Sequence, residues 1–369
     1  MTGRRSSPSS SPPKDKKIKK NDSPPSSPSP LVYIVGLAAS DSVYGPECIA
    51  EHPSNGRLWT GLRTGLICEV EVDKSGKSAK ILRAVRLSTA ENCDGSYASF
   101  PKCGRPLGLR FSPEGTLLVA DAYLGLHEID LEKESVSVLV RGGSPLEGSV
   151  PLRYLNDVDV LPDGRLVLSE SSTRFDDRDF IYDLMEHRPS GRLLIFNRTS
   201  DSLRVLASGL FFPNGIAVRS GKVLVAEMGA ARILKYSPSA DTMDIFVDNL
   251  PGYPDNIRKT KVGRQLLVPL AAGRGAADNW LAERPSLRQL ITKLLSRAAL
   301  EWLMNLVTDD RGIVLKVDAE SGRILEAMGD STGRVTGIST ALQLADRSIV
   351  LGSDSGYYIG RVPPISGEE

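Results

Sequence analysis

Six times along this 369-residue chain a turn, a run of strand-forming residues and a small or acidic residue recur in the same order. The copies are Pro53 to Gly61, Pro113 to Asp121, Pro162 to Glu170, Ser220 to Glu227, Gly263 to Pro269 and Asp346 to Gly352. They start about 45 to about 80 residues apart, and the longer gaps hold insertions. Asp-Gly and Glu-Gly between strand signals are hairpin chemistry, because glycine accepts positive φ. Further amphipathic strands follow, such as Gly191 to Phe196 and Arg232 to Tyr236. One four-stranded unit cannot bury both of its faces. Six units stacked around an axis bury them and leave only short edges. A doubly wound α/β fold needs a helix in every gap, and most gaps have none. The repeat therefore predicts an all-β, six-bladed β-propeller over residues 31–369.

One gap does carry a helical pattern. From Trp280 to Val307, apolar residues fall at Leu287, Leu290, Ile291, Leu294, Leu295, Leu300, Leu303 and Met304. Arg288, Lys293 and Arg297 lie on the other face. The segment is an insertion in the fifth unit. It reads as a lid over the channel, a membrane-surface helix, or a helix packed on the ring.

Residues 1–30 have a different composition. They hold nine Ser, seven Pro and seven Lys or Arg against Asp15 and Asp22, a net charge of +5. Such a segment cannot bury enough apolar surface to offset its chain entropy and reads as a disordered basic tail. The tail and the 280–307 helix are the two segments offered for membrane contact. The rest of the chain carries about −4 of the total charge of +1. A mildly acidic body argues against nucleic acid as a partner. No run of about 18 apolar residues occurs; the longest near the N-terminus, Leu31 to Ala39, is nine residues, too short to span a bilayer.

The four cysteines contain no Cys-x-x-Cys pair, and the three histidines are scattered, which argues against a zinc cluster. Cys93 and Cys103 bracket a short polar loop; a disulfide closing it and two buried thiols are the alternatives. Asn197-Arg198-Thr199 is a glycosylation sequon.

Innermost propeller strands converge on the central channel. Ahead of them stand Glu47, the pair Asn156-Asp157, Asn214, and the pair Asp255-Asn256, each against Pro, Gly or apolar residues. Asn and Asp are good turn formers, which explains any one of these. It explains less well four at the same point of successive units. Carboxylates and carboxamides without thiol or imidazole select calcium over zinc. The carboxylates Glu47 and Asp255 balance one divalent cation.

Specific motifs then carry a family resemblance. Cys103-Gly-Arg-Pro-Leu-Gly-Leu-Arg110, Val119 to Leu126, Phe212-Pro-Asn-Gly215, Val225-Ala-Glu227, Pro251 to Arg258 and Leu281 to Pro285 resemble the strictosidine-synthase-like propellers, in order, over about residues 45–362. The resemblance implies a six-bladed ring and, through more distant paraoxonase and gluconolactonase relatives, a calcium ion at the channel. Its ligand motifs match Glu47, Asn156, Asn214 and Asp255, with Asn256 a further candidate. Asp255 takes the role of catalytic base or nucleophile. The resemblance also implies the Cys93–Cys103 disulfide, a glycan at Asn197, and a membrane or secretory-pathway location, with an anchor between the tail and Gly45 that this sequence lacks.

Two departures narrow the activity. The catalytic Glu of strictosidine synthase is replaced by Ser339, and the paraoxonase His by Leu107. None of the three histidines stands at a channel motif. The expected activity is a calcium-dependent, arylesterase-like hydrolase of small-molecule esters or lactones. The alternative is a catalytically silent propeller that binds a partner.

Overall fold

The computed structural model describes residues 29–30, 43–73, 79–261, 264–309, 311–330 and 333–364. Residues 1–28 of the basic tail and the whole Leu31 to Ala39 stretch lie outside the described residues.

The chain forms six radial sheets. Blade 1 comprises Ile49–Glu51, Leu58–Gly61, Leu66–Val72 and Ala79–Arg86. Blade 2 comprises Pro106–Phe111, Leu117–Asp121, Gly125–Asp130 and Ser135–Arg141. Blade 3 comprises Leu155–Val160, Leu166–Glu170, Gly191–Asn197 and Ser202–Leu210. Blade 4 comprises Pro213–Arg219, Lys222–Glu227, Arg232–Ser237 and Thr242–Val247. Blade 5 has a broken inner strand, Gly252–Pro254 and Arg258–Lys259, then Gln265–Gly273, Ile313–Asp318 and Ile324–Gly329. Ser29–Pro30 pairs in parallel with its outer edge. Blade 6 shows three strands among the described residues, Ile338–Gln343, Ile349–Ser353 and Gly360–Val362.

Each of the six sequence copies carries the second strand of one blade, and Gly263 of the fifth copy lies outside the described residues. The turn glycines Gly115 and Gly164 have φ of 89° and 83°, which L side chains rarely adopt. The second strands are apolar at consecutive positions because both faces are covered. In blade 2, Leu117 and Val119 pack toward blade 1 with Trp59 and Ile67. Leu118 and Ala120 pack toward blade 3 with Leu166 and Leu168. Strand alternation thus joins each blade to both neighbours. The ring closes where Val350 and Ile359 of blade 6 meet Ile49, Leu58 and Val70 of blade 1. Ser353 N–H donates to the Pro46 carbonyl across that seam at 3.0 Å.

The inner strands approach very closely. A Cβ on Gly215 would lie 2.4 Å from Asn256 Cα, and one on Gly108 would lie 2.5 Å from Asp157 Cα. Only glycine lets neighbouring inner strands touch there.

Five α-helices are described: α1 Phe100–Cys103, α2 Phe180–Glu186, α3 Ala276–Ala282, α4 Pro285–Leu294 and α5 Arg297–Val307. The single helical period of 280–307 is divided. Pro285 opens α4, and Ser296 caps α5 by accepting from Ala299 N–H. Leu300, Leu303, Met304, Ile291 and Leu295 pack on Ile181 and Met185 of α2, so the insertion docks on blade 3's excursion. Its outer face leaves Leu290, Leu294, Trp302 and Leu306 exposed, at 49, 71, 66 and 67%. No helix among the described residues is long and apolar enough to cross a membrane.

Cys93 and Cys103 are joined by a disulfide, their Cα atoms 5.6 Å apart, while Cys48 and Cys68 are buried free thiols. The loop it closes presents Tyr97. That ring lies under the Arg178 and Arg297 guanidinium groups, each 4.8 Å from its centroid, so the loop props α5. The sequon residue Asn197 ends a blade 3 strand in a surface turn, where its Oδ1 accepts from Thr199 N–H.

Candidate functional site

The inner strands carry irregularities at equivalent points. Pairing shifts register between Leu155 and Val158, Pro213 and Ile216, Pro106 and Gly108, and Ile338 and Thr340. These breaks contain Asn156-Asp157, Asn214, Leu107 and Ser339. Bulges turn side chains out of the ladder, which is how a strand aims a residue along the channel axis.

Glu47, Asn156, Asn214 and Asp255 come together as lining residues at one end of a cavity of about 520 Å³. All four are buried, at 3, 3, 4 and 4% exposure. Each has one oxygen with no hydrogen-bond partner: Glu47 Oε2, Asn156 Oδ1, Asn214 Oδ1 and Asp255 Oδ1. Buried polar atoms are normally paired, and one cation in the cavity that all four residues line would satisfy these oxygens together. Burial, then the neighbouring Asp255, hold the Glu47 carboxyl well above its ordinary range. Burial, then Asp354, do the same to Asp255. Two carboxyls that resist ionising, with two amide oxygens and no thiol or imidazole, fit a hard cation such as calcium. Among the described residues no three His, Cys, Asp or Glu side chains gather as a ligand set; this set is half carboxamide.

Asn256 takes a different place. It is fully buried and absent from the cavity lining. Its Nδ2 donates to Glu47 Oε1 at 2.8 Å, and its Oδ1 accepts from Arg258 Nη2 at 3.1 Å. Arg258 also donates to Asp157 Oδ2 at 3.0 Å and to the Cys48 sulfur at 2.9 Å. In both acidic pairs, then, the first residue lines the cavity and the second builds the layer that supports it. Alternation along a strand produces that division.

Ser339 is buried, and its hydroxyl donates to the Glu47 carbonyl oxygen at 2.5 Å. It holds the Glu47 backbone and offers no base to the cavity. Leu107 joins Tyr154, Phe212 and Met228 in an apolar wall.

Four lining residues escaped the reading of motifs. Asp354 is half-buried; burial opposes its charge, but Arg63 and Arg105 hold its carboxyl below the ordinary range. Its place just after the last repeat copy was a usable signal, since Asp121, Glu170 and Glu227 stand at similar points. Asp177 is buried, accepts from the Tyr154 hydroxyl at 2.9 Å, and is pushed up by burial. His187 stands at no channel motif but reaches the cavity from the C-terminus of α2. It lines the cavity, and burial with Arg288 and Arg232 brings its pKa down to about 4. Arg288 comes from α4. The last three sit on insertions, outside the repeat. His127 is a buried blade 2 residue, also pulled down by burial, and does not line the cavity.

Comparison with known proteins follows the same lines. The strictosidine synthase family model matches residues 156–241. An adipocyte plasma membrane-associated protein from Salmo salar is 36% identical over 86% of this chain and 75% of its own length. That from Gallus gallus is 32% identical over 87% and 76%, and that from Homo sapiens is 36% identical over 71% and 64%. Among solved structures, a Xanthomonas campestris gluconolactonase superposes with a TM-score of 0.55 at 14% identity, covering 88% of this chain and 87% of its own. A calcium-binding protein, regucalcin, from Agrobacterium tumefaciens has a TM-score of 0.51 at 13% identity, covering 84% and 82%. At such identities these two speak to the fold alone. The propeller, its motifs and the relatives agree: the chain belongs to the adipocyte plasma membrane-associated protein family, within the strictosidine-synthase-like propellers.

Proposed function

We propose that this protein is a calcium-dependent hydrolase of esters or lactones, with the ion held by Glu47, Asn156, Asn214 and Asp255. The observation that carries the reading is the set of four buried, unpartnered oxygens on residues that line one cavity. When bound, calcium supplies Lewis acidity toward a carbonyl oxygen. Asp255 lines the cavity, and the carboxylate oxygen that does not hold the ion would take a proton from the attacking water. The water oxygen bonds to the carbonyl carbon, the ester C–O bond breaks, and the proton goes to the leaving alkoxide. Asn256 and Ser339 hold Glu47 in place, from its side chain and its backbone. Leu107, Tyr154, Phe212 and Met228 keep bulk water from the reacting carbonyl. Ser339 provides no carboxylate where strictosidine synthase has one, which supports hydrolysis over that condensation. The gluconolactonase-like fold adds weaker support.

The test is a panel of phenyl acetate, a longer aryl ester and an aliphatic lactone with calcium-loaded protein. Turnover of at least one, absent in Asp255→Asn, is expected. No turnover of any, by folded and calcium-loaded protein, overturns the hydrolase reading and leaves a partner-binding propeller.

The compartment reading follows the relatives, which are named for the plasma membrane. A disulfide needs an oxidising compartment, and the Asn197 sequon lies in an exposed turn. Leu290, Leu294, Trp302 and Leu306, with exposed Lys293 and half-buried Arg297 beside them, suit an anionic bilayer surface.

A further inference from the structure

The cavity has a second polar end, formed by α2 and the inserted helices. Arg288 reaches from α4 to the last turn of α2, where Nε donates to the Met185 carbonyl at 2.9 Å and Nη2 to the Leu184 carbonyl at 2.6 Å. Among the described residues it makes no ion pair, and its Nη1 has no hydrogen-bond partner. Burial pulls its pKa below the ordinary value, although Tyr253 and Asp278 act the other way. The nearby carboxylate Asp278 accepts from Gly275 N–H at 2.9 Å and from the Tyr253 hydroxyl. Arg274 is held by Asn249, Asn279 and the Leu250 carbonyl.

His187 stands beside this group. Its ring stacks on Phe211 with centroids 4.5 Å apart, and its buried Nδ1 has no partner. With a pKa of about 4 it is neutral at pH 7 and offers one N–H as donor. Arg288, His187, Tyr253 and Asp278 all line the cavity that also holds the four oxygens. Leu107, Phe212, Met228 and Met304 line the same cavity.

A neutral, wholly apolar ester would leave Arg288 Nη1 and the His187 nitrogen without hydrogen-bond partners. We infer that the cavity takes an amphipathic ester or lactone bearing a carboxylate at the end remote from the reacting carbonyl, with Arg288 Nη1 and His187 as its donors. Guanidinium suits a carboxylate because charge-assisted hydrogen bonds to it are short and directional. The inference rests on the hydrolase reading for the word ester; the carboxylate subsite itself is independent of it.

The experiment is calorimetric binding of octanoate and of 1-octanol to the full chain in EDTA. EDTA removes any channel cation that could itself take up a carboxylate, so binding reports the Arg288 end. Octanoate is expected to bind roughly tenfold or more tighter than octanol, as one charge-assisted bond implies. Arg288→Met should abolish that preference, and His187→Phe, which keeps the stacking on Phe211, should reduce it about threefold. Circular dichroism checks that each variant is folded. Equal binding of the two ligands to the wild-type chain overturns the inference, as does a preference that survives in both folded variants. If octanoate is preferred while no ester is hydrolysed, the subsite stands and the hydrolase reading falls.

Discussion

Asn256 on blade 5 donates its side-chain amide to Glu47 Oε1 at the entrance of blade 1, 2.8 Å away across the channel. The same amide's oxygen accepts from Arg258, so one carboxamide joins the candidate ligand to the buried cationic layer. Replacing it with Leu leaves an acceptor on Glu47 and a donor on Arg258 unpaired in the interior. Asn256→Leu should lose about 1–3 kcal/mol of stability and weaken calcium binding, read by chemical denaturation and calcium titration. Unchanged values in both would remove Asn256 from the support of the site.

The pH dependence of stability has a separate source in α2. Burial raises the Asp183 pKa from 3.8 to about 6, although Ser172 and Ser190 hydroxyls donate to it at 2.5 and 2.9 Å. A carboxyl whose folded pKa is raised favours the folded state below its unfolded pKa. That contribution is lost as pH rises through the folded value. Asp183→Asn should therefore gain stability relative to wild type between about pH 4 and pH 6, by roughly 1–3 kcal/mol, and hold the gain above that. Denaturant melts at pH 4, 5, 6 and 7.5 measure it. A difference that does not grow with pH contradicts the assignment.

The Cys93–Cys103 bridge closes a loop of ten residues. Loop-closure entropy puts its removal at on the order of 3 kcal/mol. Because the loop carries Tyr97 against Arg297, the Cys93→Ser/Cys103→Ser variant should also loosen α5. Thermal melts and hydrogen exchange in residues 297–307 check both. A lower melting temperature with unchanged exchange would separate the bridge from α5.

The exposed face of α4 and α5 predicts vesicle binding. Trp302→Gln with Leu306→Ser should cut partition onto vesicles of anionic and zwitterionic lipid about tenfold or more, given the apolar area removed. Hydrolysis of a water-soluble aryl ester should be unaffected. Wild-type protein that does not sediment with such vesicles would contradict the membrane reading.

The ring was legible because a turn, a strand such as Leu117 to Ala120 and a small or acidic residue recur six times, and one four-stranded unit cannot bury both of its faces. Glu47, Asn156, Asn214 and Asp255 were legible because they recur at one point of that repeat. Asp177, His187 and Arg288 were not. They belong to excursions from the repeat, and Arg288 meets its α2 carbonyls 103 and 104 residues away in sequence. No local pattern encodes that meeting. The helical stretch read as continuous because its apolar period runs on across Pro285 and Ser296, which divide it.

The proposed hydrolase depends on calcium held by oxygens of Glu47, Asn156, Asn214 and Asp255. Its most direct test is the rate of phenyl acetate hydrolysis before chelation, after chelation and after calcium is restored, with wild type and Asp255→Asn side by side. The wild-type rate should disappear with chelation and return with calcium, and a folded Asp255→Asn protein should stay inactive throughout. A wild-type rate indifferent to chelation, or an Asp255→Asn protein as fast as wild type, would contradict the proposal.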